Sequence, residues 1–233
     1  MVKCPGCGEE NPPKFRLCGY CGTPLVAQPA PLVSQEVRKT VTIVFCDLKG
    51  STALTELLDP ESMREVTDRY FKAMAAEITR HGGKIEKYIG DAIMAVFGLP
   101  RAHEDDALRA VRAAAGMRDA LRGVNAELTS RYGVALANRT GVNTGSVVAN
   151  DDPGVDQKLA IGDAVNVAAR VEGLTKDLGR KVIITEAVVS RVGERFHFDP
   201  LGSHKVKGHS PVNVWGIRTA RVAPAAAKAE AVQ

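Results

Sequence analysis

Apolar and polar positions between residues 37 and 218 switch repeatedly between the period of a strand and the period of a helix. Val41–Phe45 (VTIVF) is an unbroken apolar β run. From Asp59-Pro60, a capping carboxylate followed by proline in the first turn, the spacing becomes helical. Met63, Val66, Tyr70, Met74 and Ile78 form one stripe, which Gly82-Gly83 ends. Lys84–Ile89 and Ala92–Phe97 flank Gly90-Asp91 as the arms of a tight hairpin. Glu104–Leu128 reads as a second long helix, with Ala107, Val111, Ala114, Leu121, Val124 and Leu128 along one side. Strands follow near Val134–Val142 and Ser146–Ala149, then a helix over Asp163–Leu178 and a strand over Lys181–Ile184. A short helix, Glu186–Val192, leads to a closing β pair around Phe196–Lys205 and Val212–Ile217. Two helices on one face of a mainly antiparallel sheet make an α+β architecture.

The first residues carry neither period. Cys4-Pro-Gly-Cys7 and Cys18-Gly-Tyr-Cys21 are two Cys-x-x-Cys pairs ten residues apart, each followed by a glycine that lets the chain turn two sulfurs toward one ion. Four thiolates give Zn²⁺ a closed tetrahedral structural site, and the pattern is similar to a zinc ribbon; the alternative is a tail of reduced cysteines. Thr23–Gln35 holds three prolines and no charge, and Ala220–Gln233 is alanine-rich without a core pattern. The expected organisation is a zinc ribbon over 1–24, a linker over 25–36, the main domain over 37–218 and a tail over 219–233.

Composition narrows the class. The chain has 233 residues, 45% apolar and 25% charged, enough for a packed core and unlike a disordered chain. A net charge of +4 lends little to a nucleic-acid role. No apolar run approaches the ~20 residues of a membrane helix, and MVKCPGC lacks the apolar core of a signal peptide. A cytoplasmic, soluble protein is expected. In such a reducing compartment clustered cysteines bind metal and do not form disulfides.

Two aspartates stand where strands end. Asp47 closes an apolar strand, and Asp91 sits at the hairpin tip, where Gly-Asp is also ordinary turn chemistry. Gly50, Ser51 and Thr52 follow Asp47 as small residues at a helix start, a pattern that exposes backbone N–H groups to phosphate. Two carboxylates beside a polyphosphate site suit Mg²⁺. Asn166 and Arg170 share a helix face at i, i+4, among apolar neighbours; the plain alternative for Arg170 is a solvated surface group. Period-two alternation puts Lys87 on one strand face with Ile85 and Ile89, so it needs a partner or an exit to water. Cys46 reads as a small core residue, and the acids of His103-Glu104-Asp105-Asp106 as helix-start charges.

FCDLKGST, EKYIGDAIMAVFG, RTGVNTG, IGDAVNVAAR and KVKG resemble, in order and spacing, the catalytic domain of class III nucleotidyl cyclases, most of all the soluble bacterial adenylyl cyclases. The resemblance covers Thr40 to Ile217. It implies a ferredoxin-like βααβ core, a head-to-tail homodimer with two interfacial sites, ATP as substrate, and two Mg²⁺ or Mn²⁺ ions per site. By the same resemblance Asp47, Asp91 and the Leu48 carbonyl hold metal, and Arg139 and Lys207 contact the triphosphate. Lys87 reads the purine, Asn166 orients the ribose and Arg170 stabilises the transition state.

One position departs from the pattern. Where adenylyl cyclases of this family place Asp or Thr for the adenine amino group, this chain has Leu159. The Glu and Cys of guanylyl cyclases are absent too, and Lys87 is a donor suited to an adenine ring acceptor. The alternatives are a cyclase-like nucleotide-sensing or dimerisation module, a cyclase with relaxed ATP/GTP choice, and a zinc-ribbon nucleic-acid binder. No Gly-Gly-Asp/Glu-Glu-Phe signature marks a diguanylate cyclase. The regulatory partner of the ribbon is not legible.

Overall fold

The computed structural model describes residues 1–25, 36–150 and 162–218. Leu159, positions 26–35 of the expected linker and the expected tail lie outside the described residues, as does the Thr52 side chain. Two compact units result, one within Met1–Gln35 and the other within Glu36–Gln233.

In the smaller unit, β1 (Val2–Lys3) pairs antiparallel with β2 (Glu10–Asn11). The larger unit contains β3 (Glu36–Lys49), α1 (Ser51–Leu57), α2 (Pro60–Arg80), β4 (Lys84–Ile89), β5 (Ala92–Phe97) and α3 (Asp106–Tyr132). It continues with β6 (Ala137–Asn150), α4 (Asp163–Asp177), β7 (Val182–Thr185), α5 (Glu186–Val192), β8 (Phe198–His204) and β9 (Val212–Ile217). The sheet order is β4-β5-β3-β6-β7-β9-β8, antiparallel except for β6 with β7.

Local chemistry explains the boundaries. Asp59 caps α2, its carboxylate accepting from the Ser62 N–H at 2.9 Å with Pro60 in the first turn. Gly133, at φ 69°, closes α3 in the left-handed region that glycine adopts without strain. Val66, Tyr70, Met74 and Ile78 are buried as their spacing predicts.

Alternation along β3 sorts its side chains. Val44, Cys46 and Leu48 face the cluster built with α2 and α3, whereas Val41 and Ile43 face a second cluster with Ala164 and Ala168 of α4. The helices thus flank both faces of the sheet.

Three expectations change. The two strands read near Val134–Val142 and Ser146–Ala149 are one strand, β6, because β3 pairs with it over fourteen consecutive positions. Its glycines serve packing and do not break the strand: a Cβ on Gly141 would lie 2.4 Å from the Glu172 nitrogen and 2.5 Å from the Ala168 carbonyl oxygen. The second long helix runs from Asp106 to Tyr132 and not over Glu104–Leu128, so it starts and ends later than expected. Finally, β4 bulges: Ile85 pairs with Ala95 but Lys87 with Met94, so these two residues occupy opposite faces and not the shared face that strict alternation implies.

Because both clashing atoms at Gly141 are backbone, Gly141→Ala forces α4 off the sheet. Urea unfolding should show a loss of about 1–3 kcal/mol. An unchanged midpoint would refute the close-packing account.

Candidate active site

Asp47 keeps the face of Ile43 along β3 and lies directly opposite Arg139 in the β3–β6 register. Arg139 Nη2 donates to Asp47 Oδ2 at 3.0 Å. On its other side Asp47 pairs with Ala92 of β5, the residue after Asp91. The Leu48 N–H donates to the Asp91 carbonyl at 3.3 Å, tying the hairpin tip to the end of β3. Gly50, at φ 78°, turns the chain into α1, where the Ser51 hydroxyl donates to Asp91 Oδ2 at 2.5 Å. The fold therefore gathers Asp47, Asp91, Ser51 and Arg139, four of the residues singled out from sequence.

The electrostatics point to a cation. Burial raises the pKa of Asp47, the negative charge of Asp91 adds to the rise, and Arg139 opposes both. Arg139 pairs with Asp47 while the Asp91 carboxylate adds a second negative charge nearby, and the oxygens of the two carboxylates suit a hard divalent ion.

Glu172, absent from the sequence-based candidates, completes the cluster. Its Oε1 lies 3.4 Å from Arg139 Nε as an ion pair without hydrogen-bond alignment. Both atoms are buried with no hydrogen-bond partner among the described residues. Burial, then the charges of Asp47 and Asp91, push Glu172 up to about 7 despite Arg139. A lone carboxylate among helix residues gives no sequence signal. Only the close approach of α4 at Gly141 brings it to Arg139.

Asn166 and Arg170 lie elsewhere. At about 100° per residue, Arg170 and Glu172 are roughly 200° apart around α4. Arg170 instead borders the loop after β8, where a Cβ on Gly208 would sit 3.7 Å from its guanidinium nitrogens. Lys207 precedes that glycine and is exposed, and His209 Nε2 pairs with Asp163 Oδ2 at 2.9 Å, joining the loop to the start of α4. Lys87 is exposed on β4. Among the described residues no hydrogen bond or ion pair links Asn166 or Arg170 to Asp47 or Asp91. A cleft of about 440 Å³ beside the loop is lined by Asp163, Val167 and His209, but not by Asp47 or Asp91.

In the smaller unit the Sγ atoms of Cys4, Cys7, Cys18 and Cys21 all lie within 4.8 Å of one another. Cys4 and Cys21 approach to 3.5 Å, and Cys7 and Cys18 to 3.6 Å. Tetrahedral ligands at the usual Zn–S length would be roughly 3.8 Å apart, so the four sulfurs fit that ion. Backbone N–H groups of Gly6 and Tyr20 and the Asn11 amide donate to these sulfurs, as thiolates require.

Residues 33–219 match the model of the "Adenylate and Guanylate cyclase catalytic domain". The chain belongs to this family. It is 32% identical over 176 residues to adenylate cyclase 1 of Rhizobium meliloti, covering 74% of this chain and 26% of that protein. To the adenylate cyclase of Anabaena cylindrica it is 37% identical over 180 residues, 73% of this chain and 35% of the relative. The chain thus spans about a quarter to a third of the length of these curated relatives. Among solved structures, the adenylyl cyclase CyaB from P. aeruginosa superposes with a TM-score of 0.73 at 28% identity, covering 81% of this chain and 98% of that one. The guanylyl cyclase Cya2 superposes at 0.71 with 33% identity, covering 78% and 93%. No helix among the described residues is long and apolar enough to cross a membrane.

Two measurements test this geometry. In metal-free protein, folded Glu172 holds a proton that the unfolded chain, at the ordinary 4.5, has released. Its contribution to stability is therefore present below pH 4.5 and lost as pH rises through about 7, by up to about 3 kcal/mol. Glu172→Gln should flatten that fall in denaturant titrations, and an unaltered pH profile would contradict the burial of Glu172. Replacing Cys4 and Cys7 together by serine should remove about one zinc per chain, read by elemental analysis, while the unfolding of the larger unit stays in place. Unchanged zinc content would rule the cluster out as the site.

Proposed function

We propose that the protein is an adenylyl cyclase converting ATP to 3′,5′-cyclic AMP and pyrophosphate at sites shared by two copies of the chain. The observation that carries the reading is the division of the family's site residues between two directions. Asp47, Asp91 and Arg139 converge at the end of β3, whereas Asn166 and Arg170 face away from them on α4. One chain alone does not bring the two sets onto one nucleotide. A head-to-tail homodimer does, twice.

Within each site Asp47, Asp91 and the Leu48 carbonyl hold Mg²⁺ or Mn²⁺. When bound, these ions lower the pKa of the ribose 3′-hydroxyl and neutralise phosphate charge. Arg139 of the same chain binds the triphosphate, with Gly50, Ser51 and Thr52 beside it. From the second chain Lys87 donates to an adenine ring nitrogen, Asn166 orients the ribose and Lys207 holds the terminal phosphates. Arg170 meets the charge that grows on the α-phosphoryl oxygens as the 3′-oxygen attacks in line and pyrophosphate leaves. A protein nucleophile is unnecessary.

The four clustered sulfurs fit a reducing, cytoplasmic setting in which the ribbon binds zinc. Both curated relatives described above are named adenylate cyclases, which supports ATP. The likeness to a guanylyl cyclase, together with Leu159, favours a second reading in which base choice is relaxed.

Mixing two inactive variants decides the arrangement. Asp47→Ala and Arg170→Ala should each be inactive with ATP and Mn²⁺. Together they form heterodimers in which one site collects both defects and the other none. Random exchange then restores about a quarter of wild-type cyclic AMP formation, and dilution below the dimer dissociation constant abolishes it. A mixture that stays inactive despite demonstrated subunit exchange places both sets in one chain.

A further inference from the structure

Arg139 is held between two carboxylates, and the reaction proposed above uses only one of them. Its Nη2 donates to Asp47 Oδ2 at 3.0 Å, and its Nε lies 3.4 Å from Glu172 Oε1. Nε and Oε1 are both buried without a hydrogen-bond partner among the described residues, whereas 24% of the Arg139 side chain stays exposed. Water thus reaches part of this side chain but not its Nε. The two backbones are fixed against each other. Arg139 is paired into the β3–β6 ladder, and Gly141, two residues on and therefore on the same face, is where α4 touches the strand. A Cβ there would lie 2.4 Å from the Glu172 nitrogen.

Asp47 alone is a weak anchor for this arginine. In the proposed site it also ligates metal, and a carboxylate that shares its charge with a divalent ion holds a guanidinium less firmly. Glu172 has no second duty. We propose that Glu172 is a positioning residue that holds Arg139 through Nε, so that the planar fork presents its Nη donors to the triphosphate. Arginine recognises phosphate through that fork, and engaging Nε sets the plane in which the fork lies. Glu172 itself touches neither nucleotide nor metal; it acts only through the guanidinium. The assignment rests on the triphosphate role proposed for Arg139. Charge alone predicts the opposite effect, since removing a negative group beside an anion site tightens the anion, whereas removing a positioning residue loosens it.

The test measures binding of inorganic triphosphate to the full chain by calorimetry with Mg²⁺. It is run at pH 8, above the value of about 7 to which burial pushes Glu172. The probe carries no base, so the choice between ATP and GTP does not enter. Glu172→Ala should weaken binding by about three- to tenfold, and Glu172→Gln, which keeps an acceptor at Nε, by about two- to threefold. Arg139→Met should weaken it by about ten- to a hundredfold, the range for a charged donor. In the Arg139→Met background neither Glu172 substitution should change binding further, because the group it acts through is gone. Should Glu172→Ala fail to fold, Glu172→Gln carries the cycle, and Arg139→Lys, which lacks the Nε–H, can stand in for the methionine variant. Tighter or unchanged binding in the Glu172 variants overturns the assignment, as does an equal loss with and without Arg139. Wild-type binding in Arg139→Met instead removes the triphosphate role of Arg139, the reading beneath it.

Discussion

The antiparallel ladder between β3 and β6 is the contact on which the rest of the larger unit depends. Fourteen residues of one strand pair without interruption with fourteen of the other, from Glu36 with Asn150 to Lys49 with Ala137. With period-two alternation, such a ladder determines for every residue both a face and a neighbour, and a slip of one position would exchange the two faces. The apolar clusters on either side make that slip costly, since Val44 and Cys46 belong to one core and Val41 and Ile43 to the other. Asp47 owes its place opposite Arg139 to this register.

The same ladder places α4. Gly141 and Gly145 remove side chains from β6 where the helix crosses, so Ala168 and Glu172 meet the strand at backbone distance and Ala164 meets it at Gly145. Close approach has an electrostatic consequence. It pushes the Glu172 carboxylate against the guanidinium that Asp47 already holds, producing a half-buried cluster of one arginine and two carboxylates, with Asp91 beside them. The helix carries two further polar residues on its far side. Its packing therefore orients one set of side chains toward Arg139 and another away from it, and the proposed shared site rests on that division.

Much of this was legible in the chain. The capped start of α2, its apolar stripe, the β4–β5 hairpin and the short α5 follow from local rules, because a proline, an acidic cap, a glycine pair or a 3.6-residue repeat acts on its own segment. The four cysteines likewise declare their cluster by spacing, since two short turns suffice to bring the sulfurs together. The family motifs placed Asp47, Asp91, Arg139, Asn166 and Arg170 on strands, turns and helices before any contact was known.

What the sequence determined by itself was therefore the identity and order of the local elements, together with the residue types that carry phosphate and metal chemistry. Tertiary structure decided the continuity of β6, the faces on either side of the β4 bulge, the pairing of Arg139 with Glu172 and the burial of Glu86. Each of these depends on a partner distant along the chain: β3 for β6, β5 for the bulge, α4 for the arginine. Local propensity cannot express them, because glycines in β6 read as breaks until a helix is seen to need their missing side chains. A carboxylate in β4 likewise reads as surface until the folded chain is seen to bury it.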